Sequence, residues 1–502
     1  MSLFRTKSIE QSLAAAEEAD HHLKRRLSAL DLTVFGIGVI IGAGIFTVTG
    51  RAAQQYAGPS VVYSFILGAV VCGLAALCYA EFASTVPVSG SAYTFSYATL
   101  GEIVAWAIGW DLLLELMLGA SVVAQGWSTY FVTLLDQLGI TWPASLGPAD
   151  GWHFDLPAFV LVAALTLLVA KGIKESLRVN LVLVAIKLFI VLFVIFAGIG
   201  FINRDNWSPF IPPSAPGAAG SEGIHAPVLQ LVTGLTPATF GVLGIMSAAA
   251  LVFFAYIGFD VVATTAEEAK NPQRDLPRGI IGSLVICTIL YVAVSLVITG
   301  MVKYSEIDPK AALANAFVAV GKDGYATLIS AGAVAGLTTV VMTLIIGATR
   351  VTFAMSRDRL LPPGLGVTNP NTGTPVKLTF IIGAAVAVAA SITPIGTLEE
   401  MVNIGTLAAF VLVSLAVPIL RKKRPDLKRS FKVPGNPWVP WLSAAMCFYL
   451  ILNLSLETWI RFLVWMALGF IIYFLYSRQH SQLARSEGGD DSRDAPETVM
   501  ER

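Results

Sequence analysis

Charged residues are scarce in this chain. Only 13% of its 502 residues are Asp, Glu, Lys or Arg, against roughly 25% in soluble domains. The formal net charge is zero, so there is no global attraction to nucleic acid, and we expect no such partner. Hydrophobic residues make up 55% of the chain. Because apolar runs recur along its whole length, the composition predicts a polytopic membrane protein with lipid around it.

Cysteine and histidine are also rare. The five histidines lie in the tails or in polar loops, so the sequence predicts no metal site. The chain has no G-x-S-x-G motif, no P-loop lysine motif and no paired His/carboxylate set, so we expect no enzyme and no cofactor. The four cysteines lack C-x-x-C spacing and lie in apolar segments, as small buried hydrophobic residues do: Cys72, Cys78, Cys287 and Cys447.

Long apolar runs are what the chain has in abundance. A membrane-spanning helix needs about 20 mostly apolar residues. The sequence predicts twelve such spans: 31–50, 60–85, 102–135, 157–171, 179–202, 239–266, 279–302, 325–356, 375–392, 397–420, 438–456 and 459–477.

The basic residues predict the orientation of these spans. Lys and Arg concentrate in the segments that lie on the same side as the amino terminus, above all in the loop 421–432. Cytoplasmic loops carry this excess, so both termini are predicted to be cytoplasmic. The positive charge of this loop is also suited to binding anionic lipid. The usual excess of Lys and Arg in cytoplasmic loops explains the charge equally well. The segment 1–30 is then a cytoplasmic amino-terminal segment, and 478–502 a disordered cytoplasmic tail.

Four glycines fall within nine positions of the first span, in Gly36-Ile-Gly-Val-Ile-Ile-Gly-Ala-Gly44. Glycine is about 1 kcal/mol worse than alanine in a helix, so this run predicts a broken helix. Bared backbone groups in a membrane are tolerated where they line a cavity. Interrupted helices mark the substrate sites of many secondary transporters. The alternative is that the glycines only permit close helix packing.

Span six carries a weaker version of the same signal. In Phe253-Phe-Ala-Tyr-Ile-Gly-Phe-Asp260 a glycine and a carboxylate interrupt an apolar run. Spans one and six are each the first helix of a five-helix unit, over 31–202 and 239–420. Because each unit has an odd number of spans, the second unit is inserted in the membrane with the opposite orientation. Two interrupted helices at matching places predict a central binding site. The spans in 438–477 stand outside the two units.

Five ordered motifs carry a resemblance to a known family. The chain resembles an amino acid permease of the amino acid–polyamine–organocation superfamily, and most closely the bacterial type of its cationic amino acid transporter branch. The resemblance implies an all-α integral membrane protein with twelve transmembrane helices. It also implies the leucine-transporter fold, with two inverted five-helix repeats plus two peripheral helices. The motifs are Gly38-Val-Ile-Ile-Gly-Ala-Gly-Ile-Phe46, Tyr79-Ala-Glu-Phe-Ala-Ser-Thr-Val-Pro-Val-Ser-Gly-Ser-Ala-Tyr93, Gly109-Trp-Asp-Leu-Leu-Leu-Glu115, Phe254-Ala-Tyr-Ile-Gly-Phe-Asp260 and Glu267-Glu-Ala-Lys-Asn-Pro-Gln-Arg-Asp-Leu-Pro277.

An amino acid needs partners for its carboxylate and for its ammonium. Free N–H groups at the start of a half-helix suit the carboxylate, and Gly42, Ala43 and Gly44, next to Ile41, are predicted to supply them. By resemblance, the carbonyls that accept from the ammonium belong to a second set: Ile40, Phe254, Ala255 and Ile257. Relatives with Ser or Thr in place of Ala43 have a hydroxyl contact that this chain lacks.

Two intramembrane charges have competing interpretations. Glu115 either lies beside the substrate side chain or pairs with a protein base and orders the bundle. Lys187 lies about 13 Å along its helix from the inner basic cluster, and the alternative for it is a side chain that reaches back to the interface. The resemblance instead implies that Lys187 occupies the position where sodium-coupled members of the family hold a sodium ion. Gain and loss of a proton by this lysine would then couple transport to protons. Thr338 and Thr339 resemble hydroxyl ligands of that site, although packing also explains them.

The sequence therefore predicts a secondary active transporter that imports L-amino acids across the plasma membrane by alternating access. Proton-coupled symport of small neutral amino acids is preferred, with cationic amino acids as further substrates. The alternatives are an exchanger, a permease specific for cationic amino acids, and a transporter-like sensor. We expect the proton as coupling ion and no sodium. The oligomeric state is not predicted.

Overall fold

The first apolar segment folds as two helices instead of one. The computed structural model describes residues 5, 27–85, 91–149, 151–172, 177–217, 222–236, 238–263, 269–369, 373–427 and 429–487. Helix α1 (Ala29–Ile40) begins at a Ser28 capping box and ends where Ile41 turns to an extended backbone with ψ 90°. Helix α2 follows as the consecutive turns Gly44–Val48, Thr49–Ala52 and Ala53–Ala57. The predicted break in span one is confirmed.

The remaining described elements are almost all helical. A two-stranded antiparallel pairing joins β1 (Ala215–Pro216) to β2 (Ala238–Thr239). The helices are α3 (Val61–Thr85), α4 (Ser91–Thr99), α5 (Glu102–Gln137), α6 (Leu156–Ala170), α7 (Leu177–Ile199), α8 (Val228–Thr233), α9 (Gly241–Val252), α10 (Pro272–Met301), α11 (Ala312–Ala319), α12 (Asp323–Arg357), α13 (Val376–Ile392), α14 (Ile395–Lys423), α15 (Trp438–Leu452) and α16 (Leu456–Ile472).

Eight described helices are long and apolar enough to cross a membrane by their length and composition: Gly44–Thr85, Glu102–Gln137, Val182–Ile199, Gly241–Ala263, Pro272–Met301, Asp323–Arg357, Ile395–Lys423 and Leu456–His480. Four shorter apolar helices accompany them, which are α1, α6, α13 and α15. Each predicted span thus has a helical counterpart. The short helices α4, α8 and α11 in the connections were not predicted.

Helices α5 and α12 share the most extensive helix–helix contact in the described part of the chain. Helix α14 packs on α5, and α10 packs on both α1 and α3. At 36 residues, α5 is about 54 Å long, which exceeds a hydrocarbon core of about 30 Å. The long helices therefore supply a frame against which the broken first helix is placed.

The chain ends differ from the predicted boundaries where the structure describes them. Two short helices, Arg478–His480 and Gln482–Glu487, continue into the segment predicted as a disordered tail. Their order has a physical reason, because Ser477 and Ser481 are buried against the bundle and the Gln482 N–H donates to the Asp358 carbonyl at 3.2 Å. Residues 488–502, 1–4 and 6–26 lie outside the described residues, as do 86–90 and 267–268 of two motifs.

Helix α14 carries an ion pair near each of its ends. Near its start, Glu399 pairs with Arg51 of α2. Near its end, Arg421 donates to Glu81 of α3, with 2.8 Å between Nε and Oε1, and the Val433 N–H donates to the same carboxylate at 2.7 Å. The two pairs are separated by about 33 Å along the helix. Glu81 therefore fastens the basic loop after α14 to the end of α3.

We expect Glu81→Gln to destabilise the folded protein. The carboxylate is 2% exposed and accepts charged hydrogen bonds, so its loss leaves buried donors short of an acceptor, at a cost of roughly 1–3 kcal/mol. The measurement is the melting temperature of purified protein in detergent. Asp426→Asn is the control, because it removes the exposed pair with Arg424 and should leave the melting temperature unchanged. Equal effects of the two variants would contradict the role given to Glu81.

Candidate functional site

The two interrupted helices touch each other at their interruptions. A Cβ on Gly44 would lie 2.2 Å from the Ala255 Cα, and one on Gly258 would lie 2.7 Å from the Val39 Cγ1. Gly258 also has a φ of +118°, which side chains rarely adopt. Each break thus uses a glycine to admit the other helix. The glycine pattern of each span predicted a break, but it did not predict that the two breaks touch each other.

The second break follows α9 in three steps. After Val252 comes a tight 3₁₀ turn, Phe253–Tyr256, and Ile257 is then extended with ψ 138°. The Ile257 N–H donates to the Phe254 carbonyl at 3.2 Å. The Asn403 side-chain amide on α14 donates to the Ala250 carbonyl at 2.9 Å. The break in span six is therefore confirmed, and a side chain from another helix supports it.

A narrow cavity lies where the two breaks meet. Its volume is about 30 Å³. Two predicted residues, Ile41 and Ala255, are buried beside the cavity rather than in its lining. The predicted residues that line it are Ile40, Gly42, Ala43, Gly44, Glu115, Phe254 and Ile257.

The backbone at the start of α2 gives this cavity an electropositive end. The first N–H groups of a helix have no intrahelical acceptor, and Gly42, Ala43 and Gly44, at and just before the start of α2, line the cavity. The helix dipole adds a partial positive charge at the same place. The small residues at this end leave the backbone accessible from the cavity, and the binding of a carboxylate here stays a prediction.

Sequence reasoning missed several lining residues that helix periodicity identifies in hindsight. Gly119 and Val123 follow Glu115 at intervals of four on α5 and so share its face. Leu344 follows Val340 at the same interval on α12. All of these line the cavity. Val340 itself lines the cavity, whereas Met342 on the same helix does not. The lining opposite the backbone groups is apolar except for Glu115.

The Ile40 carbonyl has a protein partner. The Tyr291 hydroxyl of α10 donates to it at 2.8 Å. A carbonyl oxygen has two lone pairs, so this bond leaves one acceptor position beside the cavity. Tyr291 is fully buried, and no pattern in the sequence singled it out.

Glu115 projects into the site without a basic partner among the described residues. It is 2% exposed, and its Oε1 has no hydrogen-bond partner there. The described ion pairs do not include it. The interpretation in which Glu115 orders the bundle by pairing with a protein base therefore has no support within the described ranges.

Lys187 is buried against the end of α1. Its side chain is 1% exposed, and its Nζ donates to the Gly38 carbonyl. That carbonyl belongs to the last turn of α1, where the break frees acceptors and the helix dipole favours a cation. A Cβ on Gly336 of α12 would lie 2.4 Å from the Lys187 Cγ. The lysine is thus held between α1 and α12, and the interpretation in which it reaches back to the interface is wrong.

Thr338 and Thr339 lie close to Gly336 along α12, but their hydroxyls have other partners. Thr338 donates to the Val334 carbonyl at 2.8 Å and accepts from the Trp127 indole at 2.9 Å. Thr339 donates to the Gly336 carbonyl at 2.8 Å. Their role in a coupling site stays a prediction.

Comparison with known proteins identifies the family. A family model of amino acid permeases matches residues 27–475. The chain belongs to the amino acid permease family. It is 49% identical over 491 residues to the branched-chain amino acid permease BcaP of Bacillus subtilis (strain 168), covering 96% of this chain and 99% of that permease. It is 46% identical over 486 residues to the methylthioribose transporter of the same organism, with 96% and 99% covered.

More distant relatives come from plants. This permease is 36% identical over 428 residues to the vacuolar cationic amino acid transporter 4 of Arabidopsis thaliana, covering 85% of this chain and 68% of that transporter. The names of these relatives thus refer to branched-chain amino acids, cationic amino acids and methylthioribose. Family membership therefore supports transport without fixing the substrate.

The glycine contacts predict different outcomes for two neighbouring substitutions in this permease. In Gly44→Ala the new methyl group meets the backbone of Ala255, so we expect a loss of stability of roughly 1–3 kcal/mol or more. In Gly42→Ala the nearest atom, the Val340 Cγ1, is 3.4 Å away, so the fold should persist. That methyl group narrows the cavity, and we expect amino acid affinity to fall about tenfold, or 1.4 kcal/mol.

Melting temperatures in detergent and equilibrium binding of labelled leucine measure the two effects. A Gly44→Ala protein as stable as wild type would contradict the tight contact between the breaks. Unchanged affinity in Gly42→Ala would remove this glycine from the site.

Proposed function

We propose that this permease is a secondary active transporter that imports L-amino acids across the plasma membrane by alternating access. The observation that carries the proposal is the meeting of two interrupted helices around a cavity lined by backbone. We propose that the chain forms twelve transmembrane helices in the leucine-transporter fold, with inverted repeats at 31–202 and 239–420, helices at 438–477 and both termini cytoplasmic. The matching positions of the breaks in the two repeats support this arrangement.

The substrate carboxylate binds at the start of α2, and its ammonium binds the freed carbonyls around Ile40 and Phe254. These groups recognise what every amino acid shares. Selection then depends on the side chain, which meets Leu116, Val123 and Leu344 in the lining. An apolar lining suits small or branched neutral side chains, because burying a charge without a partner is costly. The name of the BcaP relative agrees with this choice.

Cationic amino acids are the second candidate. Glu115 supports them, because its carboxyl group beside the cavity can ionise and offer a counter-charge to a guanidinium or an ammonium. The plant relatives, named as cationic amino acid transporters, agree with this alternative.

Competition binding to purified protein separates the candidates. We expect alanine and leucine to displace labelled leucine, with arginine at least tenfold weaker. Methylthioribose is included because a relative is named for it. Displacement by arginine alone would reverse the substrate assignment, and displacement by methylthioribose alone would exclude amino acids as the cargo.

We propose the proton as the coupling ion, with Lys187 as the group that titrates and no sodium involved. The ammonium occupies the space between α1 and α12, where it repels a second cation. Its charged form binds the end of α1, and losing the proton towards the cytoplasm removes that attraction. Helix α1 is then released from α7 and α12, which opens the path for substrate to leave.

Uptake into proteoliposomes tests the coupling. A proton gradient should drive leucine accumulation that is unaffected when choline replaces sodium. Lys187→Ala should lose accumulation but retain some exchange. Lys187→Arg keeps a charge that cannot be given up, so it should bind substrate without accumulating it. Full accumulation by Lys187→Arg would show that the proton is carried elsewhere.

Gly336→Ala should reproduce Lys187→Ala, because the methyl group displaces the lysine stem. Gly324→Ala is the matched control on the same helix, since nothing lies within 4 Å of its Cβ position. Counterflow without gradient-driven accumulation in the wild type indicates an exchanger. Binding without any transport indicates a sensor.

A further inference from the structure

A second group of buried titratable side chains lies beside the cavity, apart from Lys187. We call Asp111 and Glu115 of α5, Asp260 after the second break and Tyr79 of α3 the acidic cluster. Each is at most 3% exposed. The three carboxyl groups act electrostatically on the Tyr79 hydroxyl, and Asp111 and Asp260 act on Glu115. One cluster thus joins α3, α5 and the second interrupted helix.

The acidic cluster contains no positive charge from the described part of the chain. None of the three carboxyl groups belongs to a described ion pair. The other groups that face the cluster from neighbouring helices are neutral or titrate as acids: Cys72 on α3, Cys447 on α15 and the Thr406 hydroxyl on α14. Ionising all three carboxyl groups would bury like charges without compensation, which costs far more than protonating them.

The hydrogen bonds of the acidic cluster are incomplete, and this is evidence independent of its charge. The Tyr79 hydroxyl, the Asp111 Oδ1 and the Glu115 Oε1 are buried without a partner among the described residues. A carboxylate only accepts hydrogen bonds, whereas a protonated carboxyl group also donates one. Adding a proton therefore gives such a buried carboxyl group a donor in addition to its acceptor. Buried polar atoms normally have such partners.

A metal ion fits the acidic cluster less well. The described residues include no group of three His, Cys, Asp or Glu side chains arranged to hold a metal. One Asp260 oxygen already accepts from the Gly258 N–H at 3.3 Å, and Gly405 of α14 packs tightly against the Asp111 Oδ1, since a Cβ there would lie 2.6 Å from it. Protons need no coordination shell and no added space.

We propose that the acidic cluster is a proton-binding site in which Asp111 and Glu115 hold protons at neutral pH, while Asp260 accepts from the Gly258 N–H as a carboxylate. It differs from the lysine site in position, because Lys187 lies against Gly38 and Gly336. Asp260 follows Gly258, which packs on α1, and Glu115 lines the cavity. The number of protons held therefore sets the electrostatic repulsion between α5 and the second break beside the cavity. Proton binding here does not rest on the proposed transport function.

Infrared difference spectroscopy on the purified full-length protein tests this site directly. We expect a carbonyl stretch of protonated carboxylic acid at about pH 7 that shifts in D₂O. The triple variant D111N/E115Q/D260N should lose most of that band, and Glu115→Gln alone should lose part of it. Glu102→Gln is the control. Glu102 is as buried, but it faces Arg5 at 3.6 Å and two tyrosine hydroxyls, so its loss should leave the band unchanged.

Each outcome decides the proposal. A band equal in wild type and in Glu115→Gln, or absent from wild type, overturns it. A band that sodium or potassium titrates away at constant pH overturns it as well, because the site is then a metal cation site. The single variant keeps the test valid if the triple variant does not fold. Binding and transport assays play no part, so their failure leaves this result standing.

A stability profile gives a second readout. The folded wild type keeps protons on the acidic cluster at pH values where the unfolded chain has lost them, so its melting temperature should fall as the pH rises from about 4 through neutrality. The triple variant carries neutral amides in place of the carboxyl groups and should fall less. Identical pH profiles for the two proteins would contradict proton binding at this site.

Discussion

The contact between the two interrupted helices is the constraint on which the rest of the structure depends. Gly44 admits the backbone of Ala255, and Gly258 admits Val39, so neither break can form in its present shape without the other. This mutual fit brings the free N–H groups of α2 and the freed carbonyls of α1 to one cavity. It also places the end of α1 where Lys187 reaches the Gly38 carbonyl. The site is thus formed mainly by backbone groups that lie close together, and less by functional side chains.

Helix α14 makes polar contacts with other helices at three places along its length. Its two ion pairs, to Arg51 at one end and Glu81 at the other, join it to α2 and α3. Between them, Asn403 donates to a carbonyl of α9 just before the second break. One helix therefore touches both interrupted segments and both ends of the bundle. A displacement of α14 changes contacts at all three places together.

The sequence predicted the elements that follow from composition and glycine content. Twelve apolar runs each have a helical counterpart, and both breaks occur where glycine interrupts an apolar run. The short helices α4, α8 and α11 escaped prediction because they lie in connections without a long apolar run. The tail helices at 478–487 escaped because their order comes from contacts with the bundle, and a polar composition does not reveal such contacts.

The predicted backbone positions Gly42, Ala43 and Gly44 all line one cavity, but the prediction of the remaining lining was incomplete. Gly42, Ala43 and Gly44 could be named because glycine and alanine mark exposed backbone. Gly119 and Val123 could have been found from their spacing to Glu115. Tyr291 could not, because nothing local marks a tyrosine whose partner lies 251 positions away in the chain. Contacts of that kind depend on tertiary packing alone.

The small volume of the cavity has a consequence for how tightly any ligand binds. A space of about 30 Å³ has to widen before a whole amino acid enters, and the work of widening is subtracted from the contacts that the ligand then makes. Measured affinity is the intrinsic affinity reduced by the fraction of molecules already widened. Substitutions that merely loosen the lining should therefore tighten binding, even where they remove a contact. Weak affinity and good recognition are compatible in such a permease.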